Sequence, residues 1–407
     1  MKKEIAVIGG GAAGFFAAVN CARSFPQHHI TIYEKSSKLL AKVRVSGGGR
    51  CNVTHSCFEI PELVKNYPRG EKNLINAFAR FGVSNTIDWF EECGVKLKTE
   101  EDGRMFPVTN NSQTIIDCLM EETKKFRVDI VTQAEVIKFL KNEEGRFELT
   151  FSDGEKVIAD KVLIAAGGYP KTESFNWLRE TGHEIIPPVP SLFTFNIPND
   201  PIVELMGVSI SAARLRIGGT KQLVYGPLLV THWGMSGPAV LKLSSLAARE
   251  LAEKKYEFEL IVSWITEYNP EQLQRILPSL KTELGAKQIY NHCPFEMPKR
   301  LWMFLLYKIN VPQELRWAEL SNEQIRNLVR CLTHDEYKIK GKTTFKEEFV
   351  TCGGVSLRDV DMKTMESKKC PGLFFAGEVL DIDAITGGFN FQAAWATGYI
   401  AGTTMGQ

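Results

Sequence analysis

"EIAVIGGGAAGFFAAVNCAR" (Glu4–Arg23) is the stretch on which the fold turns. The apolar run Ile5–Ile8 predicts a short strand buried on both faces, and the Ala-rich stretch that follows predicts a helix. Between them Gly9, Gly11 and Gly14 stand in the spacing GxGxxG. In such a loop the first glycine allows the tight turn, the second lets backbone approach a pyrophosphate, and the third lets helix and strand pack closely. Ala12 and Ala13 open the helix, so their N–H groups and the positive end of the helix dipole face an anion.

The next segments extend a nucleotide site. "HITIYEK" (His29–Lys35) predicts a second strand that ends in Glu34, followed by Lys35. About twenty residues past the third glycine, a carboxylate is placed to meet ribose hydroxyls. An acid there favours an unphosphorylated adenosine ribose, hence NAD or FAD over NADP, and leaves those two open. "RVDIVTQAEVIKF" reads as one further strand, bringing Ala134 and Val136 alongside the adenine. "KVLIAAGGYP" (Lys161–Pro170) is a short apolar strand that runs into Ala166 and Gly167, after a hairpin turning at Asp153-Gly154.

The far end of the chain decides for flavin. "GLFFAGEVLDIDAITGGFNFQAAWATGYIAG" gives a strand (Leu373 to Ala376), then Gly377-Glu378, then Gly387-Gly388, then a final helix. This ordering resembles the glutathione-reductase-like FAD fold, an α/β class in which a C-terminal strand, loop and helix complete an N-terminal dinucleotide motif. The resemblance implies that Glu378 meets the ribityl or pyrophosphate region and that Gly387, Gly388, Phe389 and Asn390 approach the flavin ring. No second GxGxxG follows a strand, which argues against a separate NAD(P)H domain.

With a nucleotide on the first loop, "SGGGRCN" (Ser46–Asn52) reads as a second backbone cradle for the same cofactor. Gly48 and Gly49 permit close approach and positive φ, Arg50 supplies positive charge, and Asn52 supplies amide hydrogen bonds. It is not a Walker loop, since no Gly-Lys-Ser/Thr follows. Cys51 is six positions from Cys57, too far for CxxC exchange chemistry, so it reads as a packed or flavin-adjacent thiol.

"KVRVSGGGRCNVT", "GRMFPVT", "YGPLLVTHWGMSGPAVLKLS" and the segment from "VTCGGVSLRDV" to the C-terminal helix together resemble the bacterial FAD-dependent oxidoreductases that include aminoacetone oxidase and the BaiN-type flavoproteins assigned as 3-dehydro-bile-acid reductases. The resemblance spans essentially the whole chain. It implies FAD as cofactor and NAD(P)H as a candidate transient electron donor. Two residues depart from its pattern: Cys352, where a small alanine is usual, and Ala384, where glycine is common.

Composition sets the remaining expectations. The 407 residues carry 49 basic and 48 acidic side chains, a formal +1, so nothing in the total charge calls for nucleic acid. Nine scattered cysteines show neither CxxC nor zinc spacing, which predicts free thiols in a reducing cytoplasm and no metal site. Glu4 interrupts the signal-peptide-like start, and Gly226, Pro227, Gly234, Gly237 and Pro238 break the uncharged run Gln222–Leu241, so no membrane segment is expected.

Three segments follow from these patterns: 1–190 and 346–407 as a flavin domain, with 191–345 as an inserted substrate domain. The insert reads as barrel-like β over about 191–265 and helical over about 269–340, with Pro270 at a helix start and Ser321 with Gln324 as a capping box. His232, in "LLVTHWGMSGP", is the candidate acid/base, with a structural histidine at a strand end as the competing reading. Arg104 reads as a surface partner of Asp102 or Glu101 ahead of an anion ligand, His183 as a helix end, and Trp89 and Trp177 as core. The expected activity is hydride transfer at FAD on a small organic substrate, by oxidation of an amine or reduction of an unsaturated ketone. The alternatives are a flavin-dependent RNA modifier and a nonenzymatic flavin sensor. Substrate, electron partner and oligomeric state are not legible.

Overall fold

The strand β1 (Glu4–Ile8) is buried over its last four residues because it lies inside a parallel sheet. In the computed structural model, which describes residues 2–344 and 350–407, it pairs on one side with Lys161–Ile164 and on the other with β2 (His29–Glu34). The sheet continues outward to Asp129–Thr132 beyond β2, and through Leu373–Phe375 to two short antiparallel strands on the other edge. A strand with neighbours on both edges, packed against the helix Ala12–Ser24 and the strand Lys156–Ala159, has no wet side, which is why Ile5–Ile8 is unbroken apolar sequence.

The helix α1 (Ala12–Ser24) follows the glycine turn and has ten of its thirteen residues buried. The C-terminal helix Phe389–Met405 is likewise apolar around most of its circumference, with twelve buried residues. A helix of that kind is enclosed. The two lie directly against each other at small residues: a Cβ on Gly402 would sit 2.4 Å from the Ala17 carbonyl oxygen, and one on Gly398 would sit 2.8 Å from that of Ala13. This contact brings the first and last elements of the chain together.

The chain divides into one unit of Met1–Ser191 with Phe345–Gln407, and another of Leu192–Thr344. In the second unit a seven-stranded antiparallel sheet runs in the order Asp335–Lys340, Glu257–Ser263, Ser209–Ile217, Leu223–Thr231, Gly234–Ser236, Thr194–Asn196, Lys342–Thr343. Phe195, Leu215, Leu228, Val240 and Leu243 are fully buried in its core. Helices Pro270–Glu283 and Asn322–Thr333 start at capping boxes made by Asn269 with Gln272 and by Ser321 with Gln324.

Three sequence expectations need correction. "RVDIVTQAEVIKF" is two strands, because Gln133 takes a left-handed conformation (φ 59°) that ends Asp129–Thr132 and sends Val136–Lys141 into a separate three-stranded sheet. The β part of the insert contains a helix, Pro238–Leu246, started by Gly237 and Pro238 and packed on the sheet. Its helical part ends in a strand, Asp335–Lys340, whose partner Glu257–Ser263 lies more than seventy residues earlier. Pairing at that range leaves no local signal.

Replacing Gly402 by Leu forces α1 and the C-terminal helix apart. We expect a loss of about 2–3 kcal/mol in urea unfolding monitored by far-UV circular dichroism. An unchanged midpoint would mean that the close helix contact does not carry the fold.

Candidate flavin-binding site

Three clusters of residues in the first unit hold most of the positions singled out in the sequence. The first is a cleft lined by Ile8, Gly9, Tyr33, Glu34, Lys35, Ala134, Glu135, Val136, Ala166 and Tyr169. It unites six of the positions singled out in the sequence: Gly9, Glu34, Lys35, Ala134, Val136 and Ala166. Glu34 is held in place by backbone, since the Gly10 N–H donates to its Oε2 (2.8 Å) and the Ser36 N–H to its Oε1 (2.9 Å). Lys35 Nζ lies 5.4 Å from the centre of the Tyr169 ring, whose phenol is pushed up to about 12 by burial. Tyr33, Glu135 and Tyr169 were not identified from sequence; Tyr33 and Glu135 lie at strand ends and Tyr169 in the loop after Lys161–Ile164.

The second cluster surrounds the start of α1. A Cβ on Gly377 would lie 2.8 Å from the Ala13 Cβ, so the end of strand Leu373–Phe375 abuts the first turn of the helix. The Gly377 N–H donates to Thr397 Oγ1 (2.9 Å), fixing this turn to the C-terminal helix. Glu378 accepts from the Thr351 N–H (2.9 Å) and pairs with Lys42 Nζ (2.6 Å), a residue of α2 (Ala41–Gly49). Its Oε1 is 2.7 Å from where a Cβ on Gly168 would stand, next to the predicted Gly167.

The third cluster joins "SGGGRCN" to the C-terminal loop. After the helical residues of α2 the backbone turns left-handed at Gly47, Gly48, Gly49 and Cys51. The strand that follows is tied to the last helix: Trp395 Nε1 donates to the Val53 carbonyl (2.9 Å), and Thr54 Oγ1 to Gln392 Oε1 (2.7 Å). With its amide turned to satisfy its surroundings, Asn52 accepts from the Gly388 N–H (3.0 Å). His55, unnoticed in the sequence, stacks on Phe389 with ring centres 4.7 Å apart. The two glycine loops predicted separately are therefore neighbours.

Some predicted side chains are already engaged. Arg50 stacks on Phe106 at 4.0 Å and donates to Glu100 (2.6 Å), so its charge is balanced within the chain. Asn390 closes its own loop, accepting from the Ala384 N–H (3.0 Å) and donating to its carbonyl (3.2 Å). Cys51 is fully buried and burial pushes its thiol up to about 12, the opposite of what a reactive thiolate needs. Arg104 is paired with Asp102 (2.7 Å), as the surface reading expected. His183 is buried between the hydroxyls of Thr181 and Ser367 (2.7 Å each), where burial holds its pKa below the usual value. His232 occupies the exposed turn between Leu223–Thr231 and Gly234–Ser236 in the second unit, edge-on to Trp233.

The glycines of the first loop test whether a dinucleotide fits. Gly14 is required by the protein itself, since a Cβ there would stand 2.0 Å from the Gly9 carbonyl oxygen. Gly11 is not: its φ of −97° suits any residue, and among the described residues no atom beyond its chain neighbours lies within 4 Å of an added Cβ. The chain keeps a glycine at the start of a helix where its own packing does not ask for one. A pyrophosphate lying against the backbone does ask for one.

Residues 3–404 match the family described as HI0933-like protein Rossmann domain. The chain belongs to that family. It is 29% identical to the 3-dehydro-bile acid delta(4,6)-reductase of Clostridium scindens, over 98% of both chains, and 29% identical to the ribosomal RNA dihydrouridine synthase of Haemophilus influenzae, over 97% of this chain and 96% of the relative. Among solved structures it is similar to the 3-ketosteroid-delta4-(5alpha)-dehydrogenase of Rhodococcus jostii RHA1, with a TM-score of 0.54 at 13% identity, covering 100% of this chain and 97% of the other. The family and fold are those of FAD-dependent oxidoreductases, and the chain is an enzyme of that class. Among the described residues no helix is long and apolar enough to cross a membrane, and no cluster of ligand side chains could hold a metal.

Changing Gly11 to Ala separates binding from folding. The variant should unfold within about 0.5 kcal/mol of the wild type, because the new methyl group meets none of the described residues beyond its chain neighbours. It should lose at least about tenfold in FAD affinity, read by flavin fluorescence during titration of the apoprotein. Unchanged affinity would place the pyrophosphate elsewhere.

Proposed function

We propose that the protein is a reductase of a carbon–carbon double bond conjugated with a carbonyl, drawing electrons from a reduced nicotinamide through FAD. The observation that carries this reading is the equal likeness to two relatives whose names describe very different molecules. A 3-dehydro bile acid with double bonds at positions 4 and 6 and a uridine have no scaffold in common. They share an alkene beside a carbonyl, which accepts a hydride at the far carbon and a proton at the near one. A site kept over that divergence suits the conjugated bond.

FAD, when bound, supplies the hydride chemistry, and the protein supplies binding, orientation and exclusion of water. In this reading Glu34, Ala134, Val136 and Ala166 hold the adenosine end. Gly11, Ala12, Ala13, Gly167, Gly377 and Glu378 face the pyrophosphate and ribityl chain. Gly48, Gly49, Gly387, Gly388 and Phe389 shape the ring end. The absence of a second dinucleotide motif fits a nicotinamide that visits and leaves.

Between the two kinds of substrate, charge favours a uracil base in RNA. The total of +1 divides unevenly: residues 192–344 hold 19 Lys and Arg against 15 Asp and Glu, and the remainder holds 30 against 33. In the positive unit Arg214, Arg216 and Lys221 cluster on one hairpin, and among the described residues none of them is in an ion pair. Arg214 lies over Tyr225, whose ring is 50% exposed on the same hairpin. Unpaired cations beside an exposed ring suit single-stranded RNA, which offers phosphates and unstacked bases together.

Anaerobic mixing with NADH or NADPH should bleach the flavin absorbance. A uridine-containing ribosomal RNA transcript should then restore it, with a gain of two hydrogens on uridine detected by mass spectrometry. The triple variant Arg214→Ala, Arg216→Ala, Lys221→Ala should bleach normally, bind RNA at least about tenfold more weakly, and lower the log–log salt slope by about 2. Recovery of colour with a 4,6-unsaturated 3-oxo steroid and not with RNA would shift the reading to the small enone. Failure to bleach with flavin present would contradict the reductase direction.

A further inference from the structure

Asp383 stands four residues before Gly387 and is completely buried. Arg69 grips it with two bonds, Nε to Oδ1 and Nη2 to Oδ2, and the two residues also form a backbone bridge. Around that pair the segment Asn66–Gly70 fastens the loop at several points. The Ile385 N–H donates to the Asn66 carbonyl (3.0 Å), Tyr67 Oη donates to the Phe389 carbonyl (2.6 Å), and a Cβ on Gly70 would touch Ile382 at 3.0 Å.

A third bond to the carboxylate comes from a different direction. Ser191 Oγ donates to Asp383 Oδ2 at 2.7 Å, and Ser191 is buried. It is also the last residue of the first unit before the chain enters residues 192–344. It ends the strand Ile185–Ser191, which pairs antiparallel with Val350–Val355, the strand of the returning chain. One buried carboxylate therefore joins the loop beside Phe389 to the strand pair that carries the chain out of the first unit and back.

We propose that Asp383 is a positioning residue that couples the Gly387–Gly388 turn, and with it the ring end of bound FAD, to the crossover strands Ile185–Ser191 and Val350–Val355. This rests on the assignment of that turn to the flavin. A buried charge does not give up a donor cheaply, because no water replaces it. A shift of the turn must therefore break the bonds at Asp383 or carry the end of the crossover strand along. Cofactor binding that fixes the turn also fixes the strands, and the state of the flavin site is felt where the chain passes to the other unit.

Hydrogen–deuterium exchange of the full chain, apo and FAD-loaded, tests this in the wild type, Ser191→Ala and Asp383→Asn. In the wild type FAD should slow exchange both around Gly387–Gly388 and in the two crossover strands. Ser191→Ala should keep wild-type FAD affinity within about twofold and protection at the turn, while protection of the crossover strands falls toward the apo level. Asp383→Asn should weaken FAD at least about tenfold and shift the absorbance bands of the bound flavin, which a purely stabilising role would leave in place. Equal strand protection in wild type and Ser191→Ala, or none in either, overturns the coupling. Loss of protection at the turn itself in the wild type overturns the flavin assignment along with it.

Discussion

The contact between α1 and the C-terminal helix is the constraint on which the site depends. One helix starts at the glycine turn after the first strand, and the other starts at the second glycine pair near the chain's end. Where Gly398 and Gly402 meet Ala13 and Ala17 there is no room for a side chain, so the axes close to backbone contact. The two helices run in the same direction, and the glycine turns that precede them are held to one frame. Thr397 and Gln392 of the last helix accept hydrogen bonds from the Gly377 N–H and Thr54 Oγ1, and Trp395 donates to the Val53 carbonyl, which holds the neighbouring segments to the same frame.

The glycines along this surface have different causes, and telling them apart separates fold from function. Gly14 and Gly402 satisfy the chain's own packing, whereas a Cβ added at Gly11 would meet none of the described residues beyond its chain neighbours within 4 Å. The same distinction applies to charge. Arg50 beside the glycine loop is paired with Glu100, and Asp383 with Arg69 while it also accepts a hydrogen bond from Ser191, so these ions organise loops. Breaking a buried pair like the latter by removing one partner costs about 3–5 kcal/mol, which makes it an effective fixture.

Much of the flavin unit was legible because its signals are local. The run Ile5–Ile8, the glycine spacing and Glu34 each declare a position within a few residues, and Ile8, Gly9 and Glu34 line one cleft. The insert was less legible. Its helix Pro238–Leu246 sits among strands and packs on them, and the strand Asp335–Lys340 follows three helices because its partner Glu257–Ser263 is remote in sequence. His55, Arg69 and Asp383 carried no motif, since each matters only through a contact made across the fold. Total charge is an average of the same kind: +1 is the sum over two units of opposite sign, and the expectation of no nucleic acid rested on that sum.

The central claim is that one continuous surface, from the Glu34 cleft to the Gly387–Gly388 turn, holds a single dinucleotide flavin. Titrating the apoprotein with FAD and with FMN tests it most directly, because FMN reaches only the ring end. The account predicts one equivalent of FAD bound at least about a hundredfold more tightly than FMN, equivalent to about 2.7 kcal/mol from the adenosine half. Equal affinities for the two flavins would mean that the Glu34 cleft contributes nothing to cofactor binding, and would contradict the account.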